Sequence, residues 1–406
     1  MGRRITLAVT FALLAGACID SEPAPSSEPT TTTSPTTSTS LVAGDPGRLA
    51  VIDDTGSVVV MSPDGTNRQP VTEATSQNPA IYMQPVWSPD GSSLAWGQRT
   101  GSGFGVGIGQ PGSDSIVTLT TPNMPFYTYW SPDSRHLGVL HNGTSGVQFQ
   151  IADLEEETTS VLDEDAPLYF SWNPAGDTVV THAGAERVET IGVDGHREAL
   201  EPTSPAYLAP QWTDLGVFHV LDERLVVEDI EGRREVIVDV SGFTLFVANR
   251  QGTKVALQST TGSGPATAST EEMPVPPANT VVVVDTATSS MEVVSEGPAL
   301  GFFWSPNGDR LLVLDFADRR IAPIVWVSDE TRTFPAFIPH PTLLETMFPF
   351  FPQYAQSVSF WSPGSSAFAF AGVVGEEAGI WVQDLGAEEP TRVSDGSWVS
   401  WSPTGP

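Results

Sequence analysis

Six histidines are the first candidates for acid–base or metal chemistry: His136, His141, His182, His196, His219 and His340. None belongs to a His-Glu-x-x-His pair, the spacing that sets two imidazoles around a zinc with a glutamate base beside them. Carboxylates cluster at Asp53-Asp54, at Asp153 with Glu155 to Glu157, and at Asp163 to Asp165. Such oxygen-rich runs could hold Ca²⁺, but none alternates its ligands as an EF-hand loop does, and solvated loop charge is the simpler reading. No Gly-x-Ser-x-Gly elbow presents a serine nucleophile. Cys18 is the only cysteine, so neither a disulfide framework nor a thiolate metal cluster can form. Asn142-Gly143-Thr144 has the form of a glycosylation sequon. The residues call for no metal, no cofactor and no catalytic constellation.

Aromatic residues are better organised. All six tyrosines (Tyr82, Tyr127, Tyr129, Tyr169, Tyr207 and Tyr354) lie within seven residues before a tryptophan that opens a recurring motif. Phe126, Phe302 and Phe303 lie in the same position. The motif reads Trp87-Ser88-Pro89-Asp90-Gly91, then Trp130-Ser131-Pro132-Asp133, Trp172-Asn173-Pro174-Ala175-Gly176 and Trp304-Ser305-Pro306-Asn307-Gly308. It returns at Trp361-Ser362-Pro363-Gly364 and Trp401-Ser402-Pro403. Trp212-Thr213-Asp214 is a degraded copy, and Asn249 to Gly252 a weaker one with Ala248 at the Trp position. Successive copies stand 43, 42, 40, 36, 56, 57 and 40 residues apart, the length of a four-stranded propeller blade of ~40–45 residues.

Each unit has a direct physical reading. A strand ends in the Trp plate, Pro fixes φ, and Asp-Gly supplies a tight reversal. Apolar strands follow, such as Leu311 to Leu314 and Thr280 to Asp285, and then a short polar one such as Thr391-Arg392-Val393. The fold class is therefore all-β, an eight-bladed propeller over residues 46–406, or seven-bladed if the copy at 248–252 is absorbed by a neighbour. Arg48 to Ile52 reads as a second strand and Val58 to Met61 as a third. Pairing the C-terminal strand with these would close the ring and remove exposed sheet edges.

Two segments exceed the repeat. Thr261 to Asn279 is read as a link from second to third strand. His340 to Val358, with Leu343, Leu344, Met347, Phe348, Phe350, Phe351 and Tyr354, is read as a link from fourth to first strand. Both would project from one face, where the pre-Trp segments enter the central channel. Tyr82, Phe126, Tyr127, Tyr169, Tyr207, Phe302, Phe348, Phe351 and Tyr354 form the candidate binding rim there, and amphipathic aromatics of this kind suit peptide or glycan recognition. The apolar insert could equally be a lid packed over the channel.

The Trp-Ser-Pro-Asp-Gly turn followed by Leu94-Ala95-Trp96 resembles the WD-like repeat of the TolB propeller family, over about residues 45 to 406. The resemblance implies a β-propeller but not one function. TolB places an α/β domain before its propeller and partners a peptidoglycan-associated lipoprotein; here a linker stands in that place.

The N-terminus reads as an address. Arg3 and Arg4 precede an apolar stretch from Ile5 to Ala15, giving a signal peptide over residues 1–17. Leu14-Ala15-Gly16-Ala17-Cys18 resembles a bacterial lipobox, which implies that Cys18 is lipidated and becomes the mature N-terminus. An ordinary secretory signal with an incidental Cys is the alternative. Residues 18–45 then form a disordered linker, because 17 of the 20 residues from Ser21 to Ser40 are Ser, Thr or Pro and leave almost nothing to bury.

With 49 acidic and 18 basic side chains the formal charge is −31, and loss of Arg3 and Arg4 takes it to −33. That excludes nucleic acid or an anionic membrane held through a basic face. The combined expectation is a monomeric, extracytoplasmic lipoprotein of the bacterial cell envelope, touching the membrane through its lipid anchor only. It would act as a non-enzymatic binding or scaffold module for an envelope protein, peptide or glycan. The alternative is a carbohydrate-active hydrolase or lyase with its site at the channel mouth. Lipidation at Cys18 predicts that the full chain partitions into the detergent phase of a two-phase extraction. Cys18→Ser should move it to the aqueous phase, and unchanged partitioning would refute the anchor.

Overall fold

A computed structural model describes residues 46–74, 79–200, 207–260, 275–328 and 330–404. The signal peptide, Cys18 and the linker to residue 45 lie outside these residues, as do 261–274 of the long link read at Thr261 to Asn279.

The strands form eight four-stranded antiparallel sheets. Seven are continuous in sequence, over residues 81–121, 125–165, 168–199, 211–239, 244–295, 299–333 and 338–394, here blades 2 to 8. Blade 1 is composite. Trp398–Trp401 supplies its first strand and Leu49–Ile52, Val58–Met61 and Gln69–Pro70 the other three. Closure is by strand pairing, with Leu49 opposite Trp401 and Val51 opposite Val399. Eight blades stand where seven remained open, because Thr244–Ala248 forms a first strand of its own despite the missing Trp.

The motif builds the turns of blades 2, 3, 4, 6, 7 and 8 in the same way, whereas in blade 5 Thr213 N–H donates to the Gly216 carbonyl at 2.9 Å. Ser88 N–H donates to the Ser93 carbonyl at 2.9 Å and Gly91 N–H to the Ser88 carbonyl at 2.8 Å, while the Ser88 hydroxyl donates to Asp90. The residue at the Gly91 position needs the left-handed region: φ is +70° at Gly91 and +75° at Gly308, values that glycine adopts without steric cost. Blades 3 and 8 carry Ser134 and Ser365 there, also at positive φ.

The motif Trp joins neighbouring blades. The Trp130 indole N–H donates to the Val86 carbonyl at 3.3 Å and that of Trp172 to Tyr129 at 3.2 Å. Trp304 donates to Val247 at 2.7 Å and Trp361 to Phe303 at 3.0 Å. In every case the acceptor is the residue just before the Trp position of the preceding blade, so a buried plate and one hydrogen bond fix the rotation between two sheets. The acceptor Val247 places Ala248 at the Trp position of blade 6. The seam between blades 1 and 2 is made differently. Arg48 lies over the Trp87 ring at 4.7 Å and donates to the Gly91 carbonyl at 2.7 Å, and the Trp398 indole and Ser400 hydroxyl both reach the Pro85 carbonyl.

The segment 340–358 is not a link between strands but an interruption of one. Ile338 and Pro339 pair with Val373 and Gly372, His340 N–H donates to the Ala371 carbonyl, and Ala369 N–H already donates to Phe360. The first strand of blade 8 therefore stops and resumes almost in register, and the intervening chain is spliced into the middle of it. That chain forms a short helix, Pro341–Thr346, a 3₁₀ turn, Phe348–Phe350, and a second helical turn, Phe351–Tyr354. Pro341 opens the first helix, and the His340 imidazole accepts from Thr342 N–H at 3.2 Å as its cap.

The latch predicts a specific cost. Trp304→Phe keeps most of the apolar plate but strands the Val247 carbonyl, and should destabilise by about 1–2 kcal/mol beyond the loss of area. Trp212→Phe removes an indole N–H with no protein partner among the described residues and should cost less. Urea unfolding of the two variants checks the difference.

Candidate functional site

First strands line the axis of the ring, and the inner edge of each has main-chain groups with no further strand to pair. Segment 340–358 fills the channel and satisfies several of them. The Gln353 carboxamide donates to the Phe170 carbonyl at 2.7 Å and accepts from Phe170 N–H at 2.9 Å, acting as a two-point surrogate strand for blade 4. The Tyr127 hydroxyl donates to the Gln353 carbonyl at 3.0 Å, and the Tyr354 hydroxyl donates to the Phe126 carbonyl at 2.7 Å. Gln84 of blade 2 meets the same hydroxyl at 3.0 Å, from a bulge that puts its own φ at +50°. On the opposite wall Phe351 packs edge-on to Phe302 at 4.8 Å. Blades 2, 3, 4 and 7 are thus tied to one plug.

Seven of the nine candidate rim residues are buried: Tyr127, Tyr169, Tyr207, Phe302, Phe348, Phe351 and Tyr354. Phe126 and Tyr82 are partly buried. Tyr127, Tyr354, Phe302, Phe348 and Phe351 do converge, with Tyr127 and Tyr354 at 4.9 Å, but as plug and channel wall rather than an open rim. The physical reason is the splice, which carries apolar side chains into the channel instead of out over its face. Tyr169 and Tyr207 sit apart with His182, and Tyr82 packs against the core of blade 1. Burial pushes the Tyr127 and Tyr354 hydroxyls far up, so both stay protonated donors, and pushes Tyr169 up to about 12. Burial also holds His182 and His219 below the ordinary histidine range, although Glu228 opposes it at His219.

What remains open lies on the face of the Trp-Ser-Pro turns. A vestibule of about 530 Å³ is lined by the motif prolines and by Trp87, Trp130, Trp172, Trp212, Trp304 and Trp401, of which Trp212 and Trp304 are partly exposed and the other four buried, and by the end of the plug, 355–359. Its wall near blades 5 and 6 is polar. The Gln211 carboxamide accepts from Ala248 N–H at 2.7 Å and donates to the Phe246 carbonyl at 2.9 Å, the same clamp that Gln353 makes on blade 4. Asp214 and Arg250 are the only charged side chains in the lining. A larger groove, about 840 Å³, lies between blades 4 and 5 and includes Glu228, Asp229 and Arg234. Of its charges, Glu228 pairs with Arg234 at 2.7 Å and Asp229 with the adjacent Arg233 at 2.8 Å, while Asp177, Asp194 and Glu198 make no ion pair among the described residues. The vestibule, where motif residues of seven blades converge and Arg250 has no ion pair among the described residues, is the better candidate site. Among the described residues no three His, Cys, Asp or Glu side chains gather closely enough to hold a metal ion.

No family model matches the chain, and no curated protein matches it. Solved structures do. A eukaryotic initiation factor is 12% identical with a TM-score of 0.55, over 89% of this chain and 99% of that one. The dihydro-heme d1 dehydrogenase NirN, solved in complex with DHE, is 11% identical with a TM-score of 0.56, over 89% and 77%. TolB from Acinetobacter baumannii is 13% identical with a TM-score of 0.39, over 67% and 73%. At such identities the likeness is one of fold, and the fold is the β-propeller.

The carboxamides Gln84, Gln211 and Gln353 escape motif-based reading, and Tyr129 stands among the pre-Trp tyrosines but outside the candidate rim. Arg250 left a visible trace, since it stands where six of the other turns have Pro. The Gln353 clamp predicts that Gln353→Ala, which strands a buried N–H and a buried carbonyl, costs about 2–6 kcal/mol at ~1–3 for each orphaned group. Thermal unfolding measures the loss, and limited proteolysis within 341–356 should accelerate with it.

Proposed function

We propose that this protein is a lipid-anchored, extracytoplasmic binding module of the bacterial envelope, which holds a protein or peptide partner at the vestibule. The observation that carries the reading is the vestibule itself: a concave, aromatic-walled site with a few convergent polar groups, the usual form of a binding site. A propeller suits this use, since turns from all the blades meet around one depression on a rigid ring. The lining supports binding rather than hydrolysis. Glycoside hydrolysis ordinarily takes two carboxylates about 5–10 Å apart, and this wall offers Asp214 alone. The lipobox and Ser/Thr/Pro tether supply the setting. A tether of this length reaches a few tens of Å at roughly 5–6 Å × √n, enough to hold a strongly acidic body off anionic headgroups.

Filling the site tests the proposal. Ala248→Trp inserts the plate that the seven other blades carry at this position into the vestibule wall, so the ring should remain folded while the cavity shrinks. In proximity labelling on intact cells, the neighbours labelled by the wild-type protein should be lost from the variant. An identical set of neighbours would refute the vestibule as the partner site.

A further inference from the structure

Blades 5 and 6 break the pattern of the ring together. Where other turns put Pro89, Pro132, Pro174, Pro306, Pro363 and Pro403, blade 5 has Asp214 and blade 6 has Arg250. The register of blade 6 is secure. Asn249 N–H donates to Lys254 O and Gly252 N–H to Asn249 O, as Ser88 and Gly91 do in blade 2, and Trp304 donates to Val247. Arg250 therefore occupies a proline position, beside an alanine in place of a tryptophan. The exchange removes one plate from the ring and puts a guanidinium at the edge of the gap.

That guanidinium has no ion pair or hydrogen bond among the described residues, and Asp214, linked to it only through main chain (Asp214 N–H to Arg250 O, 3.0 Å), forms no ion pair either. Across the mouth stands Tyr129 of blade 3, half-buried, lining the same vestibule, its hydroxyl without a protein partner. Burial raises Tyr129 and the charge of Arg250 opposes it, and both side chains line the one cavity. Two unpaired donors of complementary kind thus face one cavity in a protein of charge −31.

We infer that Arg250 and Tyr129 receive the terminal carboxylate of a peptide that enters the vestibule end-first. The inference rests on the vestibule being the binding site and names what fills it. Three observations select this ligand. One guanidinium matches one carboxylate, and Arg is suited to it by its paired donors. The neighbouring Asp214 repels a chain carrying a charge on every unit, which disfavours polyuronates. The plug fills the channel and its end, 355–359, lines the vestibule, so a polymer cannot thread through, whereas a chain end can stop there. Behind the carboxylate, apolar side chains would lie against Trp212, Trp304 and the space left by Ala248.

The test uses the full chain and a pool of N-acetylated apolar tripeptides, each prepared as the free acid and as the C-terminal amide, with binding followed by tryptophan fluorescence and calorimetry. The acids should bind and the amides should bind at least tenfold more weakly. Arg250→Gln should erase that difference, and Tyr129→Phe should reduce acid affinity severalfold, with unchanged unfolding midpoints in both. Equal binding of acids and amides, wild-type affinity in Arg250→Gln, or no binding of any acid at millimolar concentration would overturn the inference. So would Arg250-dependent binding of a uronate disaccharide in the absence of peptide binding. If Ala248→Trp abolishes partner labelling while acids and amides behave alike, the vestibule stands as the partner site and only the carboxylate assignment falls.

Discussion

The ring depends on one interaction repeated around it: an indole plate wedged between two sheets, its N–H given to the carbonyl one residue before the next plate. Burial of the ring supplies most of the energy, and the hydrogen bond supplies direction. Four blade junctions use it unchanged. Where the Trp is missing, the Gln211 carboxamide takes up the Phe246 carbonyl and the Ala248 N–H. Where the ring closes, Arg48 covers Trp87 instead. The substitutions show what the constraint is. Inner-edge main-chain groups must be paired, and the residue that pairs them is free to vary.

This explains which parts of the fold are legible from sequence. A Trp that must bury its ring and aim its N–H cannot be exchanged cheaply, so the repeat survives in the letters and with it the blade count, the strand order and the closure through Leu49–Ile52 and Trp398–Trp401. The weak copy at Ala248 is a true blade because strand pairing needs main chain and not the plate. The insertion is another matter. An excursion within a strand and a link between strands have the same apolar, helix-poor composition, and only the pairing of His340 with Ala371 and of Phe360 with Ala369 tells them apart.

The site was legible in part for the same reason. Aromatics before the Trp do point inward, and the sequence pattern finds them. A lid over the channel is one of the two readings the apolar insert allows, and the insert does fill it. What the pattern does not find is which groups Gln353 and Tyr354 pair, a matter of contacts hundreds of residues apart. The side left open is marked instead by an absence, the proline and tryptophan that blade 6 lacks. Function in a repeat architecture is best sought where one unit departs from the rest while keeping its register.

The plug also changes how the chain must reach its native state. Propeller blades contact mainly their neighbours, so a ring of this kind is close to a one-dimensional array in which each unit is stabilised by the next. The splice in blade 8 breaks that locality. Gln84 and Tyr354 are 270 residues apart in sequence, and Phe170 and Gln353 are 183 apart. Segment 340–358 has no channel to enter until blades 2 to 4 stand in place, and those blades keep bare inner edges until it arrives. The contacts that seal the channel are thus among the longest-range in the chain, the class of pairing that the ordinary relation between contact order and rate makes slow to form.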